Sequence, residues 1–520
     1  MSLVLLLAIT LGLAIWRIFN GLWSVPGPFV ARFTDLWYAY RVFRGGFEKD
    51  NIELHRKYGP VVRYGVNRYS VADPMAASAI YGQGSKFIKS SWYPAWSSPS
   101  PQDWTLFTDR DPKRHASNRR QYQNTYAMSS LVHYEAYVDE CAELLCQRLS
   151  GMCPIKDTWS QPVNIGHWLQ CYAFDVISLL TYSKRIGFLD AGQDVGNVMQ
   201  NIEDALLYAS IVGIYPWLHP ILFRVQNWIA GSRGRGRKYI INFTKQCMAA
   251  HQANGNGPQI AEMGSEPSGK EDQGRHQQQP VTMDFLSKFL RRHSENPSLF
   301  TPYHVQAGCV SNMMAGSDTT AISLSAILYH VLRNPAVFQR LREEVDNLCP
   351  RSSGENAASS HVTFAQSQDM PYLQAVIKEA LRIHPATGLP LERVVPKEGL
   401  TLNGIFFPAG TIVGINSWVE HRNKEIFGDD ADVFNPERWL QGNKEKISVM
   451  NRHWMPFGLG SRTCIGRHIS MLEICKLVPI LVRDFDFELC DEREWWTRNR
   501  FFVKPKNFRV RVRQRAADSD

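Results

Sequence analysis

Several features are scarce in the sequence, and each scarcity excludes a class of protein. Ten cysteines among 520 residues, with no Cys-x-x-Cys pair, exclude a disulfide scaffold and give a zinc finger or ribbon no support. Charged residues make up 21% and apolar residues 44%, so wholesale disorder and collagen-like structure are excluded as well. No internal repeat is present. The formal net charge of +9 suits nucleic acid, anionic lipid or an acidic protein, and it selects none of them.

A long apolar run lies at the N-terminus. Residues 3–23 contain one charge, Arg17, and are as long as the roughly 20 residues that a membrane-spanning helix needs. A cleaved signal peptide is the alternative, but no basic residue precedes the run and no small-x-small site follows it. Because Arg17, Arg32, Arg41 and Arg44 all lie on the C-terminal side, the positive-inside rule predicts a body in the cytosol, anchored by residues 1–23. A reducing cytosol also fits the sparse cysteines.

The rest of the chain is predicted to form a hinge followed by one large domain. Pro26-Gly27-Pro28 predicts a proline-rich hinge and linker over residues 24–45. Residues 46–520 are expected to be mainly α with a minor β region. Thr301-Pro302 gives a helix start, and the next breaker is Asn334-Pro335, so a helix of about 30 residues is expected between them. A second helix is expected at 371–383, and short strands at 61–64, 70–72, 401–402, 405–407 and 411–415. The polar, Gly- and Gln-rich stretch 252–280 predicts a flexible surface insertion.

The segment Phe457-Gly-Leu-Gly-Ser-Arg-Thr-Cys-Ile-Gly466 precedes a helical pattern that begins at Arg467. A cysteine just ahead of a helix receives N–H donors and the positive end of the helix dipole, which favour the thiolate. The glycines permit close approach of the backbone to a flat, bulky group, and Arg462 offers a fork of donors to a carboxylate. A buried structural cysteine in a glycine turn is the ordinary alternative. A phosphate loop is excluded, because no Gly-Lys-Ser/Thr follows.

Three further motifs occur upstream in the chain. Glu379-Ala-Leu-Arg382 places two opposite charges on one helix face, among apolar residues, and Pro436-Glu-Arg-Trp439 follows it. Ala315-Gly-Ser-Asp-Thr-Thr320 puts poor helix formers in the middle of the long predicted helix. One interpretation is a bent helix with the Thr319 hydroxyl bonded back to a carbonyl. His115 and Arg119 share a helix face at a spacing of four.

Together these motifs resemble the cytochrome P-450 family. The cysteine segment matches Phe-x-x-Gly-x-Arg-x-Cys-x-Gly at every fixed position, and the ExxR and Ala/Gly-Gly-x-Asp/Glu-Thr-Thr/Ser patterns are complete. The Trp-x-x-x-Arg pattern has His115 in place of the tryptophan. The resemblance extends from the anchor to Phe508. Within the family, the sequence resembles microsomal fungal members of the pisatin demethylase type. It implies a cytochrome P-450 fold preceded by a single N-terminal transmembrane helix.

The resemblance also implies a cofactor, heme b (iron protoporphyrin IX), with Cys464 as the axial thiolate ligand of its iron. By the same resemblance the cofactor-binding residues are His115, Arg119, Arg393, Arg462, Gly316 and Phe457; Arg120 could take the place of Arg119. Asp318 and Thr319 are expected to relay protons to O2 in a groove left by Gly316. Glu379, Arg382 and Arg438 are expected to form a structural triad beneath the heme.

The activity implied is that of a monooxygenase in the endoplasmic reticulum membrane, single-pass, with a cytosolic catalytic domain. It would insert one atom of O2 into a lipophilic small molecule, by hydroxylation, epoxidation, dealkylation or multi-step oxidation, in fungal secondary metabolite biosynthesis. A separate reductase would supply NADPH electrons, with cytochrome b5 as a second donor and membrane lipid as a further partner; nucleic acid is not expected. A basic face of Arg452, Arg462, Arg467 and Lys476 is expected to dock the reductase.

Two alternative functions remain open on the sequence. One is an oxygen-independent heme-thiolate isomerase or dehydratase, and the other is a non-catalytic heme-binding sensor. The complete Asp318–Thr319 pair disfavours both, because neither needs a proton relay. The substrate pocket is expected to draw on apolar and aromatic stretches: 91–96, 207–217, 313–315, 386–391 and 501–502.

Overall fold

A computed structural model describes residues 12, 22–100, 102–153, 158–231, 234–253, 283–350, 361–491, 493 and 495–515. The architecture over these residues is mainly helical with small sheets, as predicted. The helices are α1 Leu36–Arg44, α2 Phe47–Tyr58, α3 Pro74–Tyr81, α4 Pro112–Tyr122, α5 Met128–Leu131, α6 Glu135–Gly151, α7 Ile165–Tyr182, α8 Phe188–Ala191, α9 Val198–Val212, α10 His219–Ala230, α11 Arg237–Ala253, α12 Phe285–Glu295, α13 Pro302–Leu332, α14 Pro335–Leu348, α15 Phe364–Gln368, α16 Pro371–Ile383, α17 Ser417–Glu420, α18 Lys424–Phe427, α19 Lys444–His453 and α20 Arg467–Asp484.

The strands are short, and they form one mixed sheet and three smaller ones. They are β1 Val61–Gly65, β2 Arg68–Val71, β3 Ile88–Lys89, β4 Val163–Asn164, β5 Arg393–Val394, β6 Leu400–Leu402, β7 Ile405–Phe407, β8 Ile412–Gly414, β9 Phe485–Leu489, β10 Trp496–Arg500, β11 Phe502–Lys506 and β12 Arg509–Gln514. The mixed sheet has the order β1-β2-β8-β5-β3. β2 and β8 are parallel, whereas the other neighbouring pairs in this sheet are antiparallel. The other sheets are β4-β12-β9, β10-β11 and β6-β7.

Helix α13 is the central element, and it begins and ends where the sequence predicts. Thr301 and His304 form a reciprocal capping box at its start, and Asn334-Pro335 follows its end. Its most extensive contact is with α7, and it also packs against α16 and α20. Because helices surround it, even its polar residues Ser317, Asp318 and Thr320 are buried. Polar groups at such depth need partners, and those partners define the site.

The N-terminal part of the described chain packs against the body. Residues 24–45, expected to be a hinge and linker, contain a 3₁₀ turn at Phe29–Arg32 and helix α1. Tyr38 and Val42 of α1 are fully buried in the main core. Of the predicted anchor, only Gly12, Leu22 and Trp23 are among the described residues, so the anchor itself lies outside them. No helix in the described ranges combines the length and apolar character that crossing a bilayer requires.

Two further expectations concern loops and thiols. Residues 252 and 253 of the predicted insertion end helix α11, and the remainder, 254–280, lies outside the described residues. All ten cysteines are free, and five of them are buried. The division into anchor, linker and catalytic domain remains a prediction.

Candidate functional site

The cysteine segment forms a tight loop directly before α20. The amide N–H of Cys464 donates to the carbonyl of Phe457 at 2.8 Å, so the loop closes on itself. Gly460 has φ of +61°, and a Cβ there would lie 1.8 Å from the carbonyl oxygen of Tyr81. No other residue type fits that position without moving the backbone. The glycines therefore serve to press the loop against helix α3 and to fix the direction of the Cys464 side chain.

The Cys464 side chain is exposed, yet enough protein lies around it to desolvate a thiolate. Burial raises the pKa of Cys464, and the N–H groups of Gly466 and Arg467, with the charges of Arg119 and Arg467, only partly oppose this. The position before a helix therefore does not by itself stabilise the thiolate that the sequence pattern predicted. A bound metal cation would stabilise it, because metal ligation deprotonates a thiol.

Five basic side chains cluster around the same region: Lys89, His115, Arg119, Arg393 and Arg462. Burial and then the charges of Arg462, Lys89, Arg119 and Arg393 together lower the pKa of His115 to about 3. Burial lowers the pKa of Arg462 to about 10, with Arg393 as the next contributor. Burial, followed by the charges of Arg393 and Arg462, holds the pKa of Lys89 well below its ordinary value. The charged members of the cluster therefore repel one another in a poorly solvated environment, and His115 is neutral at pH 7.

This positive charge has no matching carboxylate among the described residues. Arg462 donates to the backbone carbonyl of Asp109 at 2.8 Å, and Arg393 donates to the Tyr93 hydroxyl at 3.2 Å. The side chain of Asp109 is already bound by Arg114, at 2.7 and 3.0 Å. Cations in excess at a poorly solvated place require an anion from elsewhere. A thiol beside a cationic cluster fits an iron porphyrin, which offers a metal to the sulfur and two carboxylates to the cations.

Lys89 was missed by the sequence reasoning. It lies on β3, a strand of only two residues, and it is directly opposite Arg393 of β5. Like charges at facing positions of an antiparallel pair are destabilising by themselves. Only the pairing register, which no local pattern reveals, places Lys89 in the cluster. The structure places His115, Arg119, Arg393 and Arg462, all predicted, in that same cluster.

The ExxR residues form a buried network in which every charged group is bonded. Arg382 donates to both oxygens of Glu379 at 2.8 Å, and Arg438 donates to Glu379 at 2.9 Å. Arg382 also donates to the carbonyls of His421 and Ala431, each at 2.6 Å. The sequence did not reveal that the indole N–H of Trp439 donates to Glu379 as well, at 2.9 Å. Such a network fixes three segments far apart in the chain.

The two residues predicted to relay protons have different partners. The Thr319 hydroxyl donates to the carbonyl of Ala315 at 2.7 Å, as the alternative interpretation of the motif expected. Asp318 is buried and accepts a hydrogen bond from Gln170 of α7 at 2.6 Å. Its other oxygen lies 2.6 Å from the ammonium of Lys504 on β11. The Asp318 carboxylate is thus held by two groups that the sequence did not identify.

Lys504 continues the network toward the surface. Its ammonium also lies 3.0 Å from Glu203 of α9, and Lys506 contacts the same carboxylate at 3.1 Å. Burial would lower the pKa of Lys504, but the charges of Asp318 and Glu203 outweigh it and the pKa is raised. The pKa of Glu203 falls to about 2, since the two lysines outweigh the effect of burial. The chain of ion pairs runs from the half-exposed Lys506 to Asp318 in the core.

Gly316 and Phe457 have clear packing roles. A Cβ on Gly316 would lie 2.8 Å from the Ile177 side chain, so the glycine allows α13 and α7 to pack closely. The Phe457 ring packs edge-on against Trp454, with the ring centroids 5.9 Å apart. Their predicted contacts with a cofactor remain predictions.

The aromatic stretches expected to line a pocket do meet in space. Phe501 packs against Trp92, Trp96 and Phe107, with ring centroids 5.0 to 5.6 Å apart. The Gly388 N–H donates to the Phe501 carbonyl at 2.8 Å, which brings the 386–391 stretch to the same place. A cavity beside this cluster is lined by residues of three predicted stretches, among them Trp96, Tyr208 and Met314.

The prediction that Lys476 belongs to the docking face is wrong. Lys476 is fully buried, and its ammonium lies 2.8 Å from Glu135 and 3.0 Å from Asp139. It faces inward because α20 is buried on most of its circumference. Arg452 and Arg467 are exposed, as expected for a docking face, whereas Arg462 is half-buried.

Comparison with known proteins agrees with this geometry. The family model described as Cytochrome P450 matches residues 26–512. A Cytochrome P450 monooxygenase of Aspergillus terreus is 37% identical over 481 residues, covering 91% of this chain and 92% of that protein. A Pisatin demethylase of Fusarium vanettenii is 36% identical over 495 residues, covering 94% and 88%. The Cytochrome P450 monooxygenase cicH of Emericella nidulans is 36% identical over 496 residues, covering 94% and 93%.

Proposed function

The chain belongs to the cytochrome P450 monooxygenase family, and we propose that it inserts one oxygen atom from O2 into a lipophilic small molecule of fungal secondary metabolism. Hydroxylation, epoxidation, dealkylation and multi-step oxidation are the reactions of this class. The observation that carries the proposal is the Cys464 loop, whose thiol lies beside a cluster of basic side chains that have no carboxylate partner among the described residues. That combination suits heme b and is of little use to a protein without it.

Cys464 would ligate the iron, and His115, Arg119, Arg393 and Arg462, with Lys89, would bind the carboxylates of heme b. When bound, a heme with a thiolate ligand supplies activation of O2, with electrons from NADPH. The protein's part is to hold the sulfur in one direction and to neutralise two carboxylates away from water. The fully bonded network of Glu379, Arg382 and Arg438 supports the loop from behind by fixing the segments around it.

We assign proton supply to Asp318 and Thr319. Oxygen activation consumes protons, and a hydroxyl with an acid behind it can deliver them. The Thr319 hydroxyl must leave the Ala315 carbonyl to donate toward the pocket, which a single rotation of its side chain accomplishes. Asp318 is held in place by Gln170 and Lys504, so its carboxylate does not need to be ordered when the reaction begins. An isomerase or a sensor would have no use for this buried ionic chain.

We place the enzyme at the endoplasmic reticulum membrane, with residues 3–23 as its anchor and the catalytic domain in the cytosol. Large apolar side chains are exposed on the segment that follows the predicted anchor, where Phe29 and Leu36 are 68% and 64% exposed. Helix α10 is similar, with Trp228 84% and Ile229 74% exposed. Apolar surface of this size suits contact with lipid. The exposed Arg452 and Arg467 would receive an acidic reductase surface, or that of cytochrome b5.

The test combines spectroscopy with isotope labelling. The reduced, carbon-monoxide-bound protein should show the red-shifted Soret band of a thiolate ligand, and Cys464→Ala should lose it. With reductase, NADPH and a culture extract of the producing fungus under ¹⁸O2, one product should gain a single ¹⁸O atom. A product that forms without O2, or an unchanged spectrum in Cys464→Ala, would contradict the proposal.

A further inference from the structure

One cavity of the described structure contains an arginine that has no anionic partner there. The cavity lies between α9, α10, α11 and α13, and its lining includes Trp96, Ala205, Tyr208, Phe223, Arg237 and Met314. Met314 directly precedes Ala315, whose carbonyl accepts the hydrogen bond of Thr319, so the cavity lining adjoins the predicted proton relay in the sequence of α13. The other polar residues of the lining are Ser97, Gln226 and Arg235, and the charge of Arg235 is paired with Asp204. Arg237 is thus the one arginine of this lining without a carboxylate partner among the described residues, and an unpaired charge beside apolar walls is costly unless it has a function.

The contacts of Arg237 are weak for a guanidinium. Its Nη1 points at the Met314 sulfur, 3.4 Å away, which is a poor acceptor, and its Nε is buried with no acceptor. Burial lowers the pKa of Arg237, and the distant Tyr303 and Asp103 only partly compensate. No carboxylate of the described residues lies within ion-pair distance. Arg237 is also the first residue of α11, whose N-terminal dipole end adds positive potential.

The neighbouring Arg235 shows what an ordinary surface arginine does here. It is exposed, and its Nε lies 2.7 Å from the carboxylate of Asp204. The Asp204 carboxylate thus pairs with Arg235, although Arg237 lies only two residues further along the chain. A second donor in the cavity wall, the indole N–H of Trp96, is also buried without an acceptor in the described structure. Two independent donors without acceptors on one cavity indicate an acceptor that comes from outside the chain.

We infer that the substrate is a lipophilic carboxylic acid and that Arg237 binds its carboxylate. Arginine offers two parallel N–H donors, which match the two oxygens of a carboxylate. The apolar part of the molecule would pack on Trp96, Tyr208 and Phe223. Because Arg237 reaches Met314, the acid group would be held near the predicted proton relay, and the oxidised carbon would lie near the acid end of the molecule. This inference rests on the proposed monooxygenase function and narrows its substrate class.

The experiment compares acids with their methyl esters on the full-length holoprotein. The probes are dodecanoic acid with methyl dodecanoate, and 2-naphthylacetic acid with its methyl ester, at pH 7. Affinities are measured by isothermal titration calorimetry and by the Soret shift of the ferric protein. At least one acid should bind about tenfold or more tightly than its ester, which is the scale of a hydrogen-bonded charge pair. Arg237→Gln should remove that preference and leave the affinity for the ester unchanged.

The matched control is Arg235→Gln, which removes a second arginine of the cavity lining, one whose charge is already paired with Asp204. It should keep the preference for the acid. Equal affinities for acid and ester, no binding of either acid, or a preference that survives Arg237→Gln would each overturn the inference. The carbon-monoxide spectrum separates this result from the proposed function. If the thiolate band is present and acids are not preferred, only the substrate class is wrong; if the band is missing, the monooxygenase proposal fails first.

Discussion

The ion pair between Lys504 and Asp318 gives the sharpest test of how the proton relay is built. Lys504→Met keeps the length of the side chain and removes its charge, which leaves Asp318 buried with Gln170 as its remaining partner. Removing one partner of a buried ion pair costs about 3–5 kcal/mol. We therefore expect the free energy of unfolding of the holoprotein to fall by about that amount.

Lys506→Met is the matched control. Lys506 bonds the same Glu203 carboxylate, but its side chain is 32% exposed, against 9% for Lys504. A pair that water can reach contributes about 1 kcal/mol or less. Each variant removes one positive charge from the same network, so the contrast separates the loss of the buried Asp318 pair from the loss of charge itself.

The assay is urea unfolding of the detergent-solubilised protein, followed by tryptophan fluorescence and heme absorbance together, so that loss of cofactor is seen separately. A double-mutant cycle with Asp318→Asn measures the coupling, because the neutral amide no longer needs the lysine. The double variant should be more stable than the sum of the single effects implies, by about 1–3 kcal/mol. If the effects add within about 0.5 kcal/mol, or if both lysines matter equally, the buried pair does not hold Asp318.

Four further outcomes follow from the site. Thr319→Ala should keep heme and fold, because the carbonyl it bonds is already paired within the helix, but product per NADPH should fall and hydrogen peroxide should rise; unchanged coupling would contradict the relay. Lys89→Met should release heme faster than wild type when apomyoglobin is added as an acceptor, and an unchanged rate would remove Lys89 from the cofactor site. Glu203→Gln should lower stability at pH 7. Because folding depresses the pKa of Glu203 from 4.5 to about 2, that difference should be full above pH 4.5 and vanish as the pH falls toward 2; a difference independent of pH over this window would contradict the assignment. Glu379→Ala should yield little holoprotein, since Arg382 and Arg438 would lose their shared carboxylate, and a normal heme content would argue against that structural role.

Local patterns predicted much of the fold and the site. Helix α13 was predicted nearly to the residue, because Thr301-Pro302 and Asn334-Pro335 act on the adjacent backbone. Helix α16 likewise covers the predicted 371–383. The loop before Cys464 could be read because glycine spacing, cysteine and helix start are contiguous in the chain.

What the sequence missed depends on partners far apart in the chain. Lys504 lies 186 residues from Asp318, so that no periodicity links them. Lys476 was expected at the surface, because basic residues usually are, yet α6 brings Glu135 and Asp139 to it and makes its burial possible. Lys89 joins the cation cluster through strand register alone. The number of charged residues can be counted from the sequence, but the sequence does not show which of them are exposed to solvent.

The cation cluster has a consequence for how the protein matures. Lys89 and Arg393 face each other across two strands, with Arg119 and Arg462 nearby, so the chain by itself contains uncompensated charge repulsion. A ligand that brings two carboxylates converts that repulsion into attraction, and it stabilises the folded state in proportion to its concentration over its dissociation constant. Folding yield in the cell should therefore track the supply of heme. When newly made chains outnumber the available heme molecules, the chains without heme would be the least compact and the first to be degraded.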